Sequence, residues 1–272
     1  MGHPPQVDTT QTQGPATWTT TNFRASVRGM AIFVLVHGAW GGSYGFRPVR
    51  PPLLAAGHEV YSPSLTGLGE RVHLSSPQVN LTTHVTDVVN AVTYEDLWDI
   101  VLLGYSYGGM VVTGALEHIA DRVSHLVYLD AFVPSDGQAL NDLTKAGYGA
   151  GAVGPGARWL VDLPFREYDD PVAAEWNRAR RAPHPERCFS EPVRLPKPLE
   201  SYPFTRTYIK ATADTRPVAG GPAGPDGPGS PFWRAADHAA ASPAWRYREI
   251  DTNHMVMSNK PAELVELLLE LG

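Results

Sequence analysis

Val101-Leu-Leu-Gly-Tyr-Ser-Tyr-Gly-Gly-Met110 carries an apolar strand pattern that ends in Gly-x-Ser-x-Gly and passes at once into an apolar helix pattern. That order of elements predicts a nucleophile elbow, a sharp strand-to-helix turn that lifts the hydroxyl of Ser106 into a cleft at the edge of a sheet. A serine at such a bend is driven toward a strained backbone conformation. Gly104 and Gly108 must then lack side chains so that strand and helix can pass closely.

Working outward from residue 31, short apolar runs alternate with helical patterns, the mark of a mostly parallel sheet covered on both faces. Six strands are predicted: Ala31 to His37, Glu59 to Pro63, Ile100 to Tyr105, Val123 to Leu129, Thr207 to Ala211 and Tyr247 to Ile250. Helical spacing marks Arg47 to Ala56, Leu81 to Val92, Gly109 to Ala120 and Pro261 to Leu271. In the last, Leu264, Leu267, Leu268 and Leu271 share one face while Glu263, Glu266 and Glu270 face water. The fold class is therefore α/β, with the core at 30–133 and 205–272. The alternation breaks between 134 and 204, a connection long enough to form a cap or lid with helices of its own. Residues 1–29 are Thr-rich with no apolar signal segment and read as a disordered leader. Pro217 to Pro231 reads as a surface loop.

The composition narrows the function. A net charge of −6 over 272 residues argues against a nucleic-acid-binding surface. The one basic cluster, Arg178, Arg180, Arg181, His184 and Arg187, is interleaved with prolines and reads as a solvated face. One cysteine, Cys188, excludes an internal disulfide and offers no metal cluster, which suits a cytoplasmic setting. No apolar run approaches a membrane span. A small-molecule substrate is the expected partner, no cofactor or metal is called for, and a homodimer is compatible with the chain.

A serine hydroxyl needs a base within hydrogen-bond reach. His254, in the loop between the last strand and the last helix, belongs to the same sheet edge as Ser106. His58, His84, His118 and His125 fall in or beside regular elements and read as structural, and His37 is expected to shape the loop after the first strand. The base needs a buried carboxylate to orient it. Asp214 follows one strand end and keeps the chain order Ser, Asp, His; Asp130 ends the strand next to the nucleophile, and Asp136 lies further into its loop. Acyl transfer also needs donors for an oxyanion. The N–H of Tyr107 is one, and the bare backbone His37-Gly38-Ala39-Trp40-Gly41-Gly42 supplies the second, with Ala39 first and Trp40 second in line. Gly38, Trp159, Phe165 and Trp176 are the candidates for substrate contact, with Phe189 beside them.

With Val36-His-Gly-Ala-Trp40, Gly104-Tyr-Ser-Tyr-Gly-Gly109 and Asn253-His-Met255, the chain resembles the α/β-hydrolase superfamily from about residue 31 to 272. Ser64-Leu-Thr-Gly-Leu-Gly-Glu-Arg71 and Tyr128-Leu-Asp-Ala-Phe-Val-Pro134 are similar to the branch holding plant methyl esterases, hydroxynitrile lyases and many bacterial esterases. The resemblance keeps Asp130 in play, because many bacterial relatives lack an acid at the place of Asp214. The similar lyases carry Thr and Lys where this chain has Gly38 and Met255, so the resemblance favours a serine hydrolase acting on a small, largely apolar ester, thioester or lactone. Non-hydrolytic members of the fold, small-molecule sensors and cofactor-free lyases or oxygenases, are the competing class.

Overall fold

A computed structural model describes residues 29–144, 157–213 and 230–271. The acid candidate Asp214, nearly all of the leader and residues 217–229 of the second loop lie outside them. In chain order the strands are β1 (Ile32–Val36), β2 (Glu59–Tyr61), β3 (Ile100–Tyr105), β4 (Val123–Leu129), β5 (Leu160–Val161), β6 (His184–Pro185), β7 (Thr205–Ala211) and β8 (Arg246–Ile250). The helices are α1 (Arg50–Ala55), α2 (Leu81–Tyr94), α3 (Gly108–Ile119), α4 (Leu140–Leu143), α5 (Pro171–Arg178), α6 (Arg187–Ser190), α7 (Pro231–Ala241), α8 (Val256–Asn259) and α9 (Pro261–Leu269).

The six strands expected from the sequence form one sheet in the order β2-β1-β3-β4-β7-β8, and every neighbouring pair is parallel. Alternate residues feed two cores. Phe33 and Leu35 of β1 and Val101 and Leu103 of β3 pack with Leu53, Val256, Leu264 and Leu268, so α1, α8 and α9 cover that face. Val34, Val36 and Leu102 pack with Val88, Met110, Leu116, Phe232 and Ala236, so α2, α3 and α7 cover the other. Burial on both faces explains why these strands read as unbroken apolar runs. Local chemistry sets the helix starts: Asn80 accepts from the Thr83 N–H at 2.9 Å to cap α2, and Asp170 caps α5 ahead of Pro171.

Helix α7 went unread in the sequence because its Pro231 merges with the preceding Gly/Pro loop. Its Phe232, Trp233, Ala236 and Ala239 nevertheless form a buried stripe at helical spacing. Between β4 and β7 the chain contributes α4, α5, α6 and the small antiparallel ribbon of β5 and β6.

This topology fixes where a site can form. The chain order reverses between β1 and β3, and a crevice opens outside the carboxyl ends of strands at such a switch point. The loops after β1 and β3 line that crevice, with the loop after β8 joining them.

Candidate active site

Ser106 follows the last residue of β3 and precedes α3 with a backbone φ of 55°, in the left-handed region that a non-glycine residue enters only when its surroundings hold it there. The surroundings do so through close contact. A Cβ on Gly108 would meet the Val36 carbonyl oxygen at 2.5 Å, and one on Gly104 would meet the Gly108 oxygen and the Val112 side chain at 2.7 Å. The Ser106 N–H donates to Leu129 O, and Phe132 N–H donates to Ser106 O, which ties the turn to the end of β4. Ser106 is 7% exposed.

His254 reaches back from the loop after β8. The Ser106 hydroxyl donates to its Nε2 at 3.0 Å, and its Nδ1–H donates to Asp130 Oδ2 at 2.6 Å. The ring lies between Tyr105, stacked at 4.9 Å, and Phe232, stacked at 5.1 Å, while the Tyr105 hydroxyl donates to the His254 carbonyl at 2.7 Å. Two aromatic faces and a backbone tether thus leave the imidazole little rotational freedom. Asp130 stands where β4 ends, with its own φ at 40° and no exposed surface.

Behind Asp130 stands a residue the sequence reading passed over. Lys210, fully buried near the end of β7, donates from Nζ to Asp130 Oδ1 at 2.7 Å and to the Ala211 carbonyl, and packs over the Trp233 ring at 4.5 Å. The carboxylate therefore lies between an imidazole and an ammonium. Burial by itself pushes the Asp130 carboxyl up, but the His254 hydrogen bond and the Lys210 charge together outweigh it and hold the group below the usual carboxylate range.

At the mouth of the elbow, among the described residues, the N–H groups of Ala39 and Tyr107 donate to no protein acceptor. The Trp40 N–H goes to His184 Nδ1 at 3.3 Å and its indole N–H to the Val161 carbonyl at 3.2 Å. Trp40, the second oxyanion candidate, is thereby committed elsewhere, with its φ of 61° turning it into the interior. His37 holds the loop: its Nδ1–H donates to Gly38 O at 2.8 Å, and its Nε2 accepts from Leu65 N–H at 3.0 Å.

A model of the alpha/beta hydrolase family matches residues 33–267. A carbendazim hydrolyzing esterase of Nocardioides sp. (strain SG-4G) is 36% identical over 259 residues, covering 89% of this chain and 100% of that protein. A pheophorbidase of Raphanus sativus is 30% identical, over 67% of this chain and 76% of its own. Among solved structures, an extracellular alpha/beta-hydrolase of a Paenibacillus species, described as sharing structural and functional homology with a tobacco salicylic acid binding protein, superposes with a TM-score of 0.70 at 26% identity, covering 89% of this chain and 99% of that one. The chain belongs to the alpha/beta hydrolase family.

In this alpha/beta hydrolase the cleft over Ser106 divides the substrate-contact candidates. Gly38 lines it, and a Cβ there would come 2.9 Å from Ser106 Cβ. Trp159 contributes only its carbonyl to a turn with Glu186, and Trp176 lies in a neighbouring groove against Tyr44, stacked under Arg180. Phe165 is 87% exposed. The cause is a period-two alternation: Phe165 and Glu167 point to water, and Arg166 and Tyr168 face the cleft. Phe189 lines a narrow inner space with Phe132, Leu140 and Phe232, directly beside Ser106.

The basic cluster also divides, against its reading as one solvated face. Arg178, Arg180 and Arg187 are exposed, whereas Arg181 turns into the cleft and His184 is fully buried, stacked 4.5 Å from Phe189. His184, His84 and Cys188 bring three potential metal-ligating atoms within 4.8 Å of one another. Their chemistry fits a packed interior better than an ion. His84 Nε2–H donates to the Thr66 carbonyl and its Nδ1 accepts from the Tyr107 hydroxyl, so both of its ring nitrogens are already engaged by protein groups. No helix of the described residues is long and apolar enough to cross a membrane.

Proposed function

We propose that the protein is a serine hydrolase that cleaves a small carboxylic ester through an acyl-enzyme. The observation that carries this reading is the continuous chain from Ser106 Oγ through His254 to Asp130 at 3.0 and 2.6 Å. The Ser106 hydroxyl attacks the ester carbonyl as His254 Nε2 takes its proton; the tetrahedral oxyanion rests on the uncommitted N–H groups of Ala39 and Tyr107, the latter at the positive end of α3. His254 returns the proton to the leaving alcohol, and a water repeats the cycle to release the acid. Residues 134–204 serve as a cap that walls the substrate. The names of the relatives, an esterase and a pheophorbidase, support ester hydrolysis. A lyase reading gains nothing here, because Met255 brings no cation to the cleft and a side chain at Gly38 would press on Ser106.

Incubation with a fluorophosphonate followed by peptide mass analysis tests the proposal. One adduct on Ser106, together with a burst of p-nitrophenol from p-nitrophenyl acetate, is the expected result. A folded protein whose Ser106 stays unmodified overturns it.

Lys210 acts as a positioning residue whose charge offsets that of Asp130 at His254. Without it, Asp130 would favour the imidazolium more strongly. Lys210→Met should therefore move the acid limb of the pH–kcat/KM profile upward by about one to two pH units, the shift that losing a nearby unit charge gives at an effective permittivity near 20. A residue that served packing alone would lower the rate without moving the limb.

A further inference from the structure

We infer that Arg166 and Arg181 form an anion subsite in the cleft, so that the substrate is an ester bearing a second, ionised carboxylate. This inference rests on the hydrolase reading of Ser106 and names the class of ester it takes. Both arginines line the same cleft as Ser106 and His254, and Arg166 also borders the inner space.

Two like charges beside one cleft repel, and the partly buried Arg181 also loses hydration, a cost that proteins normally offset with carboxylates. Among the described residues neither arginine has a carboxylate within ion-pair distance. Arg181 Nη1 donates to the Pro164 carbonyl at 2.9 Å and Arg166 Nη1 to Phe165 O at 3.4 Å, a single protein acceptor for each guanidinium. Arg206, a buried arginine on the far side of the fold, shows what a structural role looks like: its three nitrogens donate to the carbonyls of Leu199, Ala244 and Tyr202. A guanidinium has five donors, so the pair in the cleft keeps most of its capacity uncommitted.

The tyrosines beside them point the same way. Tyr44 lines the cleft, and its hydroxyl oxygen is buried with no hydrogen-bond partner among the described residues. Tyr168 faces the same space. Burial raises Tyr44 to about 12, so it remains a donor. Burial likewise lowers Arg181, with Arg166 adding to the effect and no carboxylate opposing it. A carboxylate offers two oxygens to such a set of donors and neutralises part of the paired charge, and Arg is suited to bind it bidentately. The charged end is an anchor and takes no part in bond making. At the other end Ser106 takes the acyl group as the alcohol leaves with the proton from His254, and water then cleaves the acyl-enzyme to give a carboxylic acid.

Competition against p-nitrophenyl acetate at low ionic strength tests this, with monomethyl glutarate and dimethyl glutarate as the paired probes. The half-ester should compete at a concentration at least tenfold lower than the diester. In the double variant Arg166→Met, Arg181→Met the ratio should fall to near one, and Arg181→Lys should keep part of it. Thermal unfolding of each variant verifies folding. Equal competition by the two probes in the wild type, or a ratio unchanged in the folded double variant, overturns the subsite while leaving the hydrolase intact. If Ser106 neither turns over p-nitrophenyl acetate nor takes a fluorophosphonate, the hydrolase reading fails instead.

Discussion

Asp130→Asn is expected to lower kcat for ester cleavage by about four orders of magnitude, while Asp214→Asn costs less than tenfold. An amide in place of the carboxylate preserves shape but no longer demands a proton on the facing imidazole nitrogen. The ring then rests in the wrong tautomer, a loss of about 10⁴ in enzymes that use this relay. In free energy that is about 5.5 kcal/mol of barrier. Asp130 Oδ2 already occupies His254 Nδ1 at 2.6 Å, which leaves a second acid no hydrogen to orient. The substitution also deprives buried Lys210 of its partner, so the fall in rate needs separating from misfolding. The double variant Asp130→Asn, Lys210→Met removes the orphaned charge; it should recover thermal stability relative to Asp130→Asn while kcat stays low. Steady-state kinetics with p-nitrophenyl acetate on all four proteins decides the matter. A large loss in Asp214→Asn with full activity in Asp130→Asn would place the acid on the other strand end.

The choice between those two carboxylates shows what a linear reading reaches. Chain order does not separate them, since Ser106, Asp130, His254 and Ser106, Asp214, His254 are the same order. What separates them is a neighbour on the next strand. In Tyr208-Ile-Lys-Ala211 a lysine interrupts an apolar run within a sheet buried on both faces, and a charge there requires a partner. Asp130, adjacent across the β4–β7 pairing after Leu129↔Ile209, is that partner. The signal was legible, and only the strand order was missing. The strands, the elbow and His254 could be read because each depends on local periodicity and strand-end placement. The cleft wall could not, because the segment from 157 to 204 has little regular structure to carry a period. An aromatic residue there looks like a substrate contact whichever way it faces, and Phe165 faces water while Arg166 faces the cleft.

Acid should unfold this protein early. Urea titrations at pH 7 and pH 5 are expected to differ by at least about 5 kcal/mol in stability, with pH 7 higher. Burial lowers His37, His84 and His125 from the ordinary 6.5 to about 4, and takes His184 well below its ordinary range. Each is neutral when folded and takes up a proton near pH 6.5 when unfolded, so the unfolded chain binds more protons between about pH 6.5 and 4. Stability therefore rises with pH across that window; it is fully present above 6.5 and is lost as the pH falls. At pH 5 one such histidine costs about 2 kcal/mol. His37 and His84 contribute that much each, His125, nearer the surface, contributes less, and His184 adds to the loss in the same direction, so about 5 kcal/mol is a lower bound. Against a total of roughly 5–15 kcal/mol for a folded domain, the sum is decisive. Asp130, held below its usual range, adds its own loss only in stronger acid. The histidines also hold the catalytic loops in place as acceptors: His84 Nδ1 takes the Tyr107 hydroxyl, His184 Nδ1 the Trp40 N–H and His37 Nε2 the Leu65 N–H. An imidazolium cannot accept, so protonation would release the two segments that carry the uncommitted N–H groups of Ala39 and Tyr107. Activity should then decline together with stability below about pH 6. A stability that stays level from pH 7 to pH 5 would mean that these rings are already charged, or open to water, in the native fold.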